Sequence, residues 1–173
     1  MTRRIMIIGG AGSGKSSLAR ALSDITGLPV IHIDMLYWQP GWKMRSRDEI
    51  GRLASEVANQ DRWIFEGNHS ETMDYRASRA DMLVFLDIST IRRLWRVIKR
   101  TAIHYGRSRP DMAEGCVERF DWDFLKWVAG YHKDGRIRAL AFLEKAPQHL
   151  AKHHLRRPKD VKRFLAQMAR EIK

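Results

Sequence analysis

The chain has 173 residues, with 32 Lys and Arg against 20 Asp and Glu, a formal net charge of +12 and a single cysteine. This length fits one domain with a substantial core, and one cysteine excludes an intramolecular disulfide. The first apolar run is too short for a signal sequence, and no stretch approaches the ~20 apolar residues that span a bilayer. We therefore expect a cytoplasmic protein.

The first predicted element is a strand over the apolar residues 5–8, of the kind that is buried on both faces. From Lys15 onward the apolar residues recur at helical spacing. Between the two, Gly9, Gly14, Lys15 and Ser16 match the phosphate-loop pattern G-x-x-x-x-G-K-[ST] in its required strand-loop-helix context. The predicted residues for binding ATP are Gly9, Gly10, Ala11, Gly12, Ser13, Gly14, Lys15, Ser16 and Ser17.

This pattern suits phosphate chemistry for a physical reason. A glycine-rich backbone can curl closely enough to point successive N–H groups at phosphate oxygens, at a helix N-terminus that already favours anions. Lys15 adds a mobile positive charge, and the hydroxyl of Ser16 is a ligand for Mg²⁺. The alternative is a glycine-rich turn that binds nothing.

The remaining elements alternate between strands and helices. The predicted strands have the sequences VIHID, RWIFEGN, MLVFLD and, with a weaker pattern, HHLRR. Helices are predicted over residues 46–60, 90–104 and 118–131, and a last helix begins at Pro158. This alternation predicts a three-layer α/β/α P-loop NTPase with a five-stranded parallel sheet, as one domain over residues 1–173 with a helical lid-like insertion at about 105–135.

Two of these helices are amphipathic. In the helix over 90–104, the residues expected to face inward are Ile91, Leu94, Trp95 and Ile98. In the last helix, the residues expected to be buried are Val161, Phe164, Leu165, Met168 and Ile172.

Three carboxylates end predicted strands. Because ligands of parallel α/β sheets lie at the carboxyl ends of the strands, Asp34, Glu66 and Asp87 are expected near the phosphate loop. Glu66 and Asp87 are alternative carboxylates for organising the water ligands of Mg²⁺, and we favour Glu66; either could instead fix the loop after its strand. His32, alternating with isoleucines on a strand, is expected to be structural.

Asp34 precedes an aromatic stretch that includes Tyr37, Trp38 and Trp42. A carboxylate beside aromatic rings could orient an acceptor hydroxyl and take its proton. Ordinary packing of the loop is the alternative interpretation of these rings. The candidate substrate-binding residues are Asp34, Trp38, Gly67 and Asn68.

Residues 88–110 carry seven Lys and Arg side chains and no acidic residue. Such a block favours phosphate, either of a nucleotide or of a polynucleotide backbone. Arg96 and Arg100 are one helical turn apart and could stack on a base or clamp phosphates. Arg107 and Arg109 lie in a loop that could close over the phosphates and exclude water. A solvated basic face is the alternative for each of them.

Together these features resemble the nucleoside-monophosphate-kinase-like branch of P-loop kinases, which includes adenylate and shikimate kinases. In adenylate kinases an acidic residue and a glycine end the third strand, as in FEGN here. Their fourth strand ends in Asp, and arginines nine and thirteen residues later contact the adenine and the phosphates; those steps lead from Asp87 to Arg96 and Arg100. The resemblance also implies an arginine-bearing lid around Arg107 and an adenine site near Arg157.

Three longer stretches, IHIDMLYWQPGW, WIFEGNHS and GRSRPDMAEGCVERFDWDFLKW, are similar to the DNA topology modulation proteins, which are related to adenylate kinases. This resemblance covers almost the whole chain and implies a kinase-like fold and ATP binding. One departure is clear: residues 67–70, Gly-Asn-His-Ser, replace the Gly-Phe-Pro-Arg that follows the acid in adenylate kinases.

Two functional hypotheses follow. The first is an ATP- and Mg²⁺-dependent kinase that transfers the γ-phosphate to a small-molecule or nucleotide acceptor. Its candidate catalytic residues are Lys15, Asp34, Arg100, Arg107 and Arg109. The second is a nucleotide-dependent, DNA-associated regulator of DNA topology, which would bind DNA through exposed arginines such as Arg92 and Arg93.

Overall fold

The computed structural model describes residues 2–171. Its strands are β1 (Arg4–Gly9), β2 (Val30–His32), β3 (Trp38–Gln39), β4 (Lys43–Met44), β5 (Trp63–Glu66), β6 (Met82–Leu86) and β7 (Ala151–Leu155). Its α-helices are α1 (Lys15–Thr26), α2 (Ile33–Tyr37), α3 (Arg47–Ala58), α4 (Ser70–Arg79), α5 (Thr90–His104), α6 (Trp122–Gly130), α7 (Gly135–Lys145) and α8 (Pro158–Glu171). A 3₁₀ turn, Tyr131–Lys133, joins α6 to α7.

Five strands form a parallel sheet in the order β2-β5-β1-β6-β7, and β3 and β4 form a separate antiparallel hairpin. β1 lies at the centre of the sheet, between β5 and β6, and the phosphate loop follows its carboxyl end. The predicted α/β class and the five-stranded parallel sheet are confirmed.

The alternation of side chains along β1 explains the three layers. Ile5 and Ile7 belong to the apolar cluster that packs against α1 and α8, whereas Met6 and Ile8 belong to the cluster on the side of α3, α4 and α7. All four side chains are fully buried. Burial of each contributes roughly 1.5–3 kcal/mol relative to an exposed side chain, so the strand beneath the phosphate loop is held firmly from both faces.

The second strand is shorter than predicted. It ends at His32, and the chain turns at once into the short helix α2, so Asp34 lies in the first turn of a helix and not at a strand end. The sequence analysis also missed α4, α7 and the hairpin. The helix expected over 118–131 is α6, which begins at Trp122 because the Asp121 carboxylate accepts the Phe124 N–H at 2.9 Å.

Helix α5 buries a different face from the one predicted. Its buried side chains are Arg93, Val97 and Thr101, whereas Ile91 is 83% exposed and Trp95 is 64% exposed. The reason is chemical: the side of α5 beneath the phosphate loop meets main-chain carbonyl groups, which a guanidinium satisfies and an isoleucine does not.

Helix α8 follows its predicted pattern in part. Phe164 and Met168 are buried, and Val161 and Leu165 pack against the same core cluster. Ile172 lies outside the described residues. None of the helices within residues 2–171 has the length and apolar character needed to cross a membrane.

The first part of the lid segment, residues 105–121, folds back on itself. Two isolated β-bridges, Tyr105 with Glu118 and Ser108 with Val117, join its two arms. The segment leaves the end of α5 and returns into α6, so both of its ends are anchored in helices that pack against each other.

Candidate nucleotide and acceptor site

A deep cleft of about 2000 Å³ opens at the carboxyl ends of β1, β2 and β5 and is lined by the phosphate loop, α2 and the lid segment. The loop is shaped by its own backbone: the Ser13 N–H donates to the Gly10 carbonyl at 3.1 Å. Gly12 has φ of 76°, and a Cβ at that position would overlap the carbonyl oxygen of Arg93. The residue must be glycine for α5 to lie this close to the loop.

Two arginines of α5 hold the phosphate loop from below. Arg96 donates to the Ser13 carbonyl at 2.8 Å, and Arg93 donates to the Ala11 carbonyl at 3.3 Å while its guanidinium lies 4.6 Å from the ring centre of Tyr131. Arg93 is only 2% exposed. The expectation that Arg93 is an exposed DNA contact is therefore wrong, whereas Arg96 also lines the cleft, where the resemblance put it.

Glu66, at the end of β5, joins the phosphate loop directly. One of its oxygens, Oε1, accepts the Ser16 hydroxyl at 2.9 Å and the His32 Nδ1–H at 2.5 Å. Burial alone would raise the pKa of Glu66, but these two hydrogen bonds and the nearby charge of Lys15 hold the pKa below its usual range. The carboxylate is therefore ionised at neutral pH and faces the serine that the motif assigns to Mg²⁺.

Asp87, just after β6, has different partners. Its oxygens accept two hydrogen bonds from Arg136, at 2.7 and 2.8 Å, and one from His154 Nε2 at 2.9 Å. Burial raises the pKa of Asp87, but the bonds to Arg136 and His154 outweigh it and lower the pKa. Because β1 lies between β5 and β6, strand adjacency alone does not distinguish the two acids; their partners do.

Asp34 faces the cleft from the first turn of α2. The residue is exposed toward the cleft, and the protein around its carboxyl group partly excludes water from it. This desolvation raises the pKa of Asp34, an effect that the positive charge of Lys15 partly opposes. The Lys15 ammonium itself lies 3.5 Å from the Gly10 carbonyl oxygen, folded back toward its own loop.

The turn after β5 is tied to the phosphate loop. The Asn68 side-chain oxygen accepts the Gly9 N–H, and its amide nitrogen donates to the Gly9 carbonyl, both at 3.0 Å. Gly67 has φ of 115°, and a Cβ there would overlap the Ile33 side chain. Although both residues line the cleft, Asn68 is engaged with Gly9, so the structure gives it a supporting position rather than a free polar group for an acceptor.

The β3–β4 hairpin forms one wall of the cleft with aromatic rings. Trp38 and Trp42 meet edge to face with ring centres 5.4 Å apart, and both line the cleft. Trp42 has φ of 60°, an uncommon value for a bulky residue, and its indole N–H donates to the Val117 carbonyl of the lid segment at 3.0 Å. The hairpin and the lid segment are thus joined over the cleft.

The lid arginines differ from the expected arrangement. Arg109 is only 8% exposed and pairs with Glu118 and, at 3.1 Å, with Asp111. Arg100 lies 3.6 Å from the same glutamate. Both arginines line the cleft, whereas Arg107 is exposed and lies outside the lining. One of the two predicted lid arginines therefore points into the site and the other does not.

A second depression, which we call the basic groove, lies at the carboxyl ends of β6 and β7. Its cationic lining residues are Arg92, Arg93, Arg136, Arg156, Arg157, Lys159 and Arg163. Arg157, expected near the adenine, faces this groove, while the neighbouring Pro158 lines both the groove and the cleft.

No sequence pattern indicated the contact of His32 with Glu66 or the position of Asp111. His32 was expected to be structural, and in the structure it is a hydrogen-bond partner of Glu66. Asp111 lines the cleft; burial raises the pKa of its carboxyl, but the charge of its partner Arg109 outweighs burial and lowers the pKa. Neither residue belongs to a motif, and the one available signal for His32 was its position two residues before Asp34.

The residues around the phosphate loop fit Mg²⁺. A hydroxyl and carboxylates are the hard oxygen ligands that this ion prefers, and Mg²⁺ usually keeps several waters and substrate phosphates. Over the described part of the chain there is no group of three His, Cys, Asp or Glu that would hold a metal ion by itself. An ion at Ser16 and Glu66 would therefore need nucleotide oxygens and water to complete its coordination.

Comparison with known proteins establishes the fold. A gluconokinase from Sinorhizobium meliloti is 17% identical with a TM-score of 0.54, over 99% of this chain and 95% of that one. A shikimate kinase from Bacteroides thetaiotaomicron is 15% identical with a TM-score of 0.55, over 99% of both chains. A shikimate kinase from Acinetobacter baumannii, in complex with shikimate, is 12% identical with a TM-score of 0.58, over 99% of this chain and 93% of that one.

The sequence matches no protein-family model and no curated protein. At identities this low the structural likeness shows that this chain shares its fold with these kinases, and it shows the fold alone.

Proposed function

We propose that this protein is an ATP- and Mg²⁺-dependent kinase that transfers the γ-phosphate to a hydroxyl group of a small acceptor. One observation carries the proposal: a single cleft contains the phosphate loop, the Ser16–Glu66 pair and, across Lys15, the carboxylate of Asp34. A module that only bound nucleotide would not need a separate carboxylate on the acceptor side.

At the nucleotide end, residues 9–17 surround the phosphates, with Lys15 as the mobile cation. Ser16 and Glu66 would hold Mg²⁺, directly or through water, and the ion would neutralise charge on the β- and γ-phosphates. Arg96, which also supports the loop at Ser13 and lines the cleft, would lie against the base. Asp87 and Arg157 receive no role in this scheme, because both face the basic groove.

At the acceptor end, Asp34 is the candidate general base. A carboxylate with a raised pKa is a stronger base than an ordinary one and accepts the proton of an acceptor hydroxyl more readily as that oxygen attacks phosphorus. Trp38 provides an apolar wall beside it. Arg100 and Arg109, which line the same cleft, would stabilise negative charge on the phosphoryl group in transfer.

The lid segment would exclude water from this reaction. It contacts the hairpin through Trp42 with Val117 and through the Gly41 N–H with the Gly115 carbonyl at 3.2 Å, and these contacts would hold it over the acceptor side. Transfer to water would waste the nucleotide, so a closed cleft favours transfer to the acceptor.

The first acceptors to test come from the structural neighbours. Gluconokinase and shikimate kinase take gluconate and shikimate, both of which are hydroxyl-bearing carboxylates. We extend this chemical class to the present chain, and we keep nucleosides and nucleotides as further candidates because of the resemblance to adenylate-kinase-related DNA topology modulation proteins.

The experiment is transfer of radiolabelled γ-phosphate from ATP to a panel of gluconate, shikimate, other polyhydroxy acids, sugars, nucleosides and nucleotides. We expect a labelled product with at least one acceptor, lost on removal of Mg²⁺ and in the Asp34→Asn variant. Asp24→Asn, on the exposed side of α1, is the matched control and should retain activity. Tight ATP binding without any acceptor-dependent product would overturn the proposal.

A further inference from the structure

The basic groove has a charge that its own surroundings do not balance. Its lining includes seven Lys and Arg side chains against two carboxylates, Asp87 and Asp160. Asp87 is paired with Arg136, and Asp160 accepts the backbone N–H groups of Arg156 and Arg157. Within residues 2–171, no carboxylate lies within ion-pair distance of the side chains of Arg92, Arg156, Arg157, Lys159 or Arg163.

These cations come from separate parts of the chain. Arg92 begins α5, Arg136 begins α7, and residues 156–163 follow β7 into α8. Except for Arg136, which is paired with Asp87, they bring unpaired charge together from distant parts of the sequence. The basic segment 88–110 supplies only part of this surface: Arg92 lines the groove, whereas Arg93, Arg100 and Arg109 point into the protein or the cleft.

The outer face of α5 continues this surface with an aromatic ring. Trp95 is 64% exposed and lies one helical turn from Arg92, and Lys99 follows one turn further along the same exposed side. A tryptophan this exposed on the back of a packed helix has no role in the core. Flanked by unpaired cations, it has the composition of a base-stacking platform beside a phosphate track.

We propose that the basic groove and the outer face of α5 bind single-stranded nucleic acid, with the cations on the phosphates and Trp95 stacked on a base. This site is separate from the nucleotide cleft and does not depend on the proposed kinase activity. A single strand is favoured over a duplex because stacking on Trp95 needs an unpaired base.

The test uses the full chain and fluorescence anisotropy with a labelled oligo-dT of 20 nucleotides, titrated over a range of salt concentrations. We expect measurable binding at low salt that weakens steeply as salt rises. In Arg92→Gln/Arg156→Gln the slope of log affinity against log salt should fall by about 1.4, roughly 0.7 for each phosphate of a single strand that an arginine no longer neutralises. Trp95→Ala should weaken binding by about fivefold or more with little change in that slope.

Arg3→Gln/Arg62→Gln is the matched control. It also removes two positive charges, from exposed positions just before β1 and β5. These positions lie at the amino ends of the strands, whereas the groove lies at the carboxyl ends. This variant should keep a salt slope and an affinity close to those of the wild type. Lys15→Ala should also bind the oligonucleotide as tightly as the wild type, because the phosphate loop is not part of this surface. Circular dichroism confirms that each variant is folded.

Four outcomes would overturn the proposal. The first is no binding at low salt. The second is an equal loss in the control variant, which would mean general attraction to a basic protein. The third is a loss in Lys15→Ala, which would place the strand in the nucleotide cleft. The fourth is inorganic polyphosphate that competes with the same affinity while Trp95→Ala has no effect, which would mean that bases are not recognised.

Discussion

The ends of β5 and β6 flank the same phosphate loop and carry the same kind of side chain, but they differ in what surrounds that side chain. Glu66 accepts hydrogen bonds from Ser16 and His32, on the nucleotide side. Asp87 is held by Arg136 and His154, facing the basic groove. Both carboxyl groups have lowered pKa values, so charge state does not distinguish them. Position in the sheet therefore leaves two candidate acids, and the hydrogen-bond partners favour Glu66 for the proposed Mg²⁺ role.

A third carboxylate sharpens this comparison and gives the largest expected effect. Asp34 faces the same cleft as Glu66 but has a raised pKa, as a base requires. Asp34→Asn should lower kcat by roughly 10²- to 10⁴-fold, the usual contribution of a general base, with little change in ATP affinity. Steady-state kinetics with an acceptor found in the transfer screen, and fluorescent-nucleotide titration, measure the two effects.

Glu66→Gln comes next in size. The amide keeps the shape of the side chain but removes the charge that faces Ser16, so activity at a fixed low Mg²⁺ concentration should fall by roughly 10- to 100-fold and recover in part at high Mg²⁺. A Mg²⁺ titration of activity and of ATP binding tests this. Asp87→Asn is the paired control, and an equal shift of the Mg²⁺ dependence in that variant would show that the two strand ends act alike.

Asp87→Asn should act on stability instead. It breaks the bidentate contact with Arg136 and weakens the contact with His154, which should lower the free energy of unfolding by about 1–2 kcal/mol. The loss is smaller than for a wholly buried pair because Arg136 is 36% exposed. Because the pKa of Asp87 is lowered in the folded state, this stabilisation is present above the unfolded value of about 3.9 and disappears as the pH falls through the folded value. Urea unfolding at pH 7 and in acid measures the cost, and an undiminished difference in strong acid would contradict the ion-pair explanation.

The smallest expected effect is on the stability of Asp34→Asn. A carboxyl group with a raised folded pKa stabilises the fold only while it is protonated, so at pH 7 the ionised Asp34 costs stability that asparagine does not. The variant should therefore melt at a slightly higher temperature than the wild type at pH 7, and the difference should vanish below about pH 4, where both forms are neutral. Thermal melts over that range test the sign; a variant less stable at pH 7 would mean that Asp34 has a structural role.

Local patterns predicted the strand, the phosphate loop and the helix that follows, because short-range backbone chemistry determines all three. The sheet class was also predictable, since strands and helices alternate and the β1 side chains need cover on both faces. What failed was the inward face of α5. Hydrophobic periodicity assigns an arginine to solvent. Arg93 instead donates hydrogen bonds to the carbonyl groups of Ala11, Ile88 and Val128, and these contacts depend on distant segments of the chain.

The candidate site shows the same division. Residues 9–17 were identified from a contiguous motif. The pairing of His32 with Glu66, and of Arg109 with Glu118, joins residues that are far apart or lie in irregular segments, so no spacing in the sequence announces it. The choice between Glu66 and Asp87 likewise needed the positions of Ser16 and Arg136, which only the folded chain brings to the two strand ends.

The two hydrogen bonds between Asn68 and Gly9 have one more consequence. A side-chain amide that both donates a hydrogen bond to one residue and accepts one from it resembles a main-chain peptide group. Asn68 therefore adds one more pair of hydrogen bonds to those between β1 and β5, at the point where the two main chains separate. Hydrolysis of that amide to a carboxylate would replace its donor by a second acceptor facing the Gly9 carbonyl. Deamidation of Asn68 would therefore loosen the loop at its first glycine.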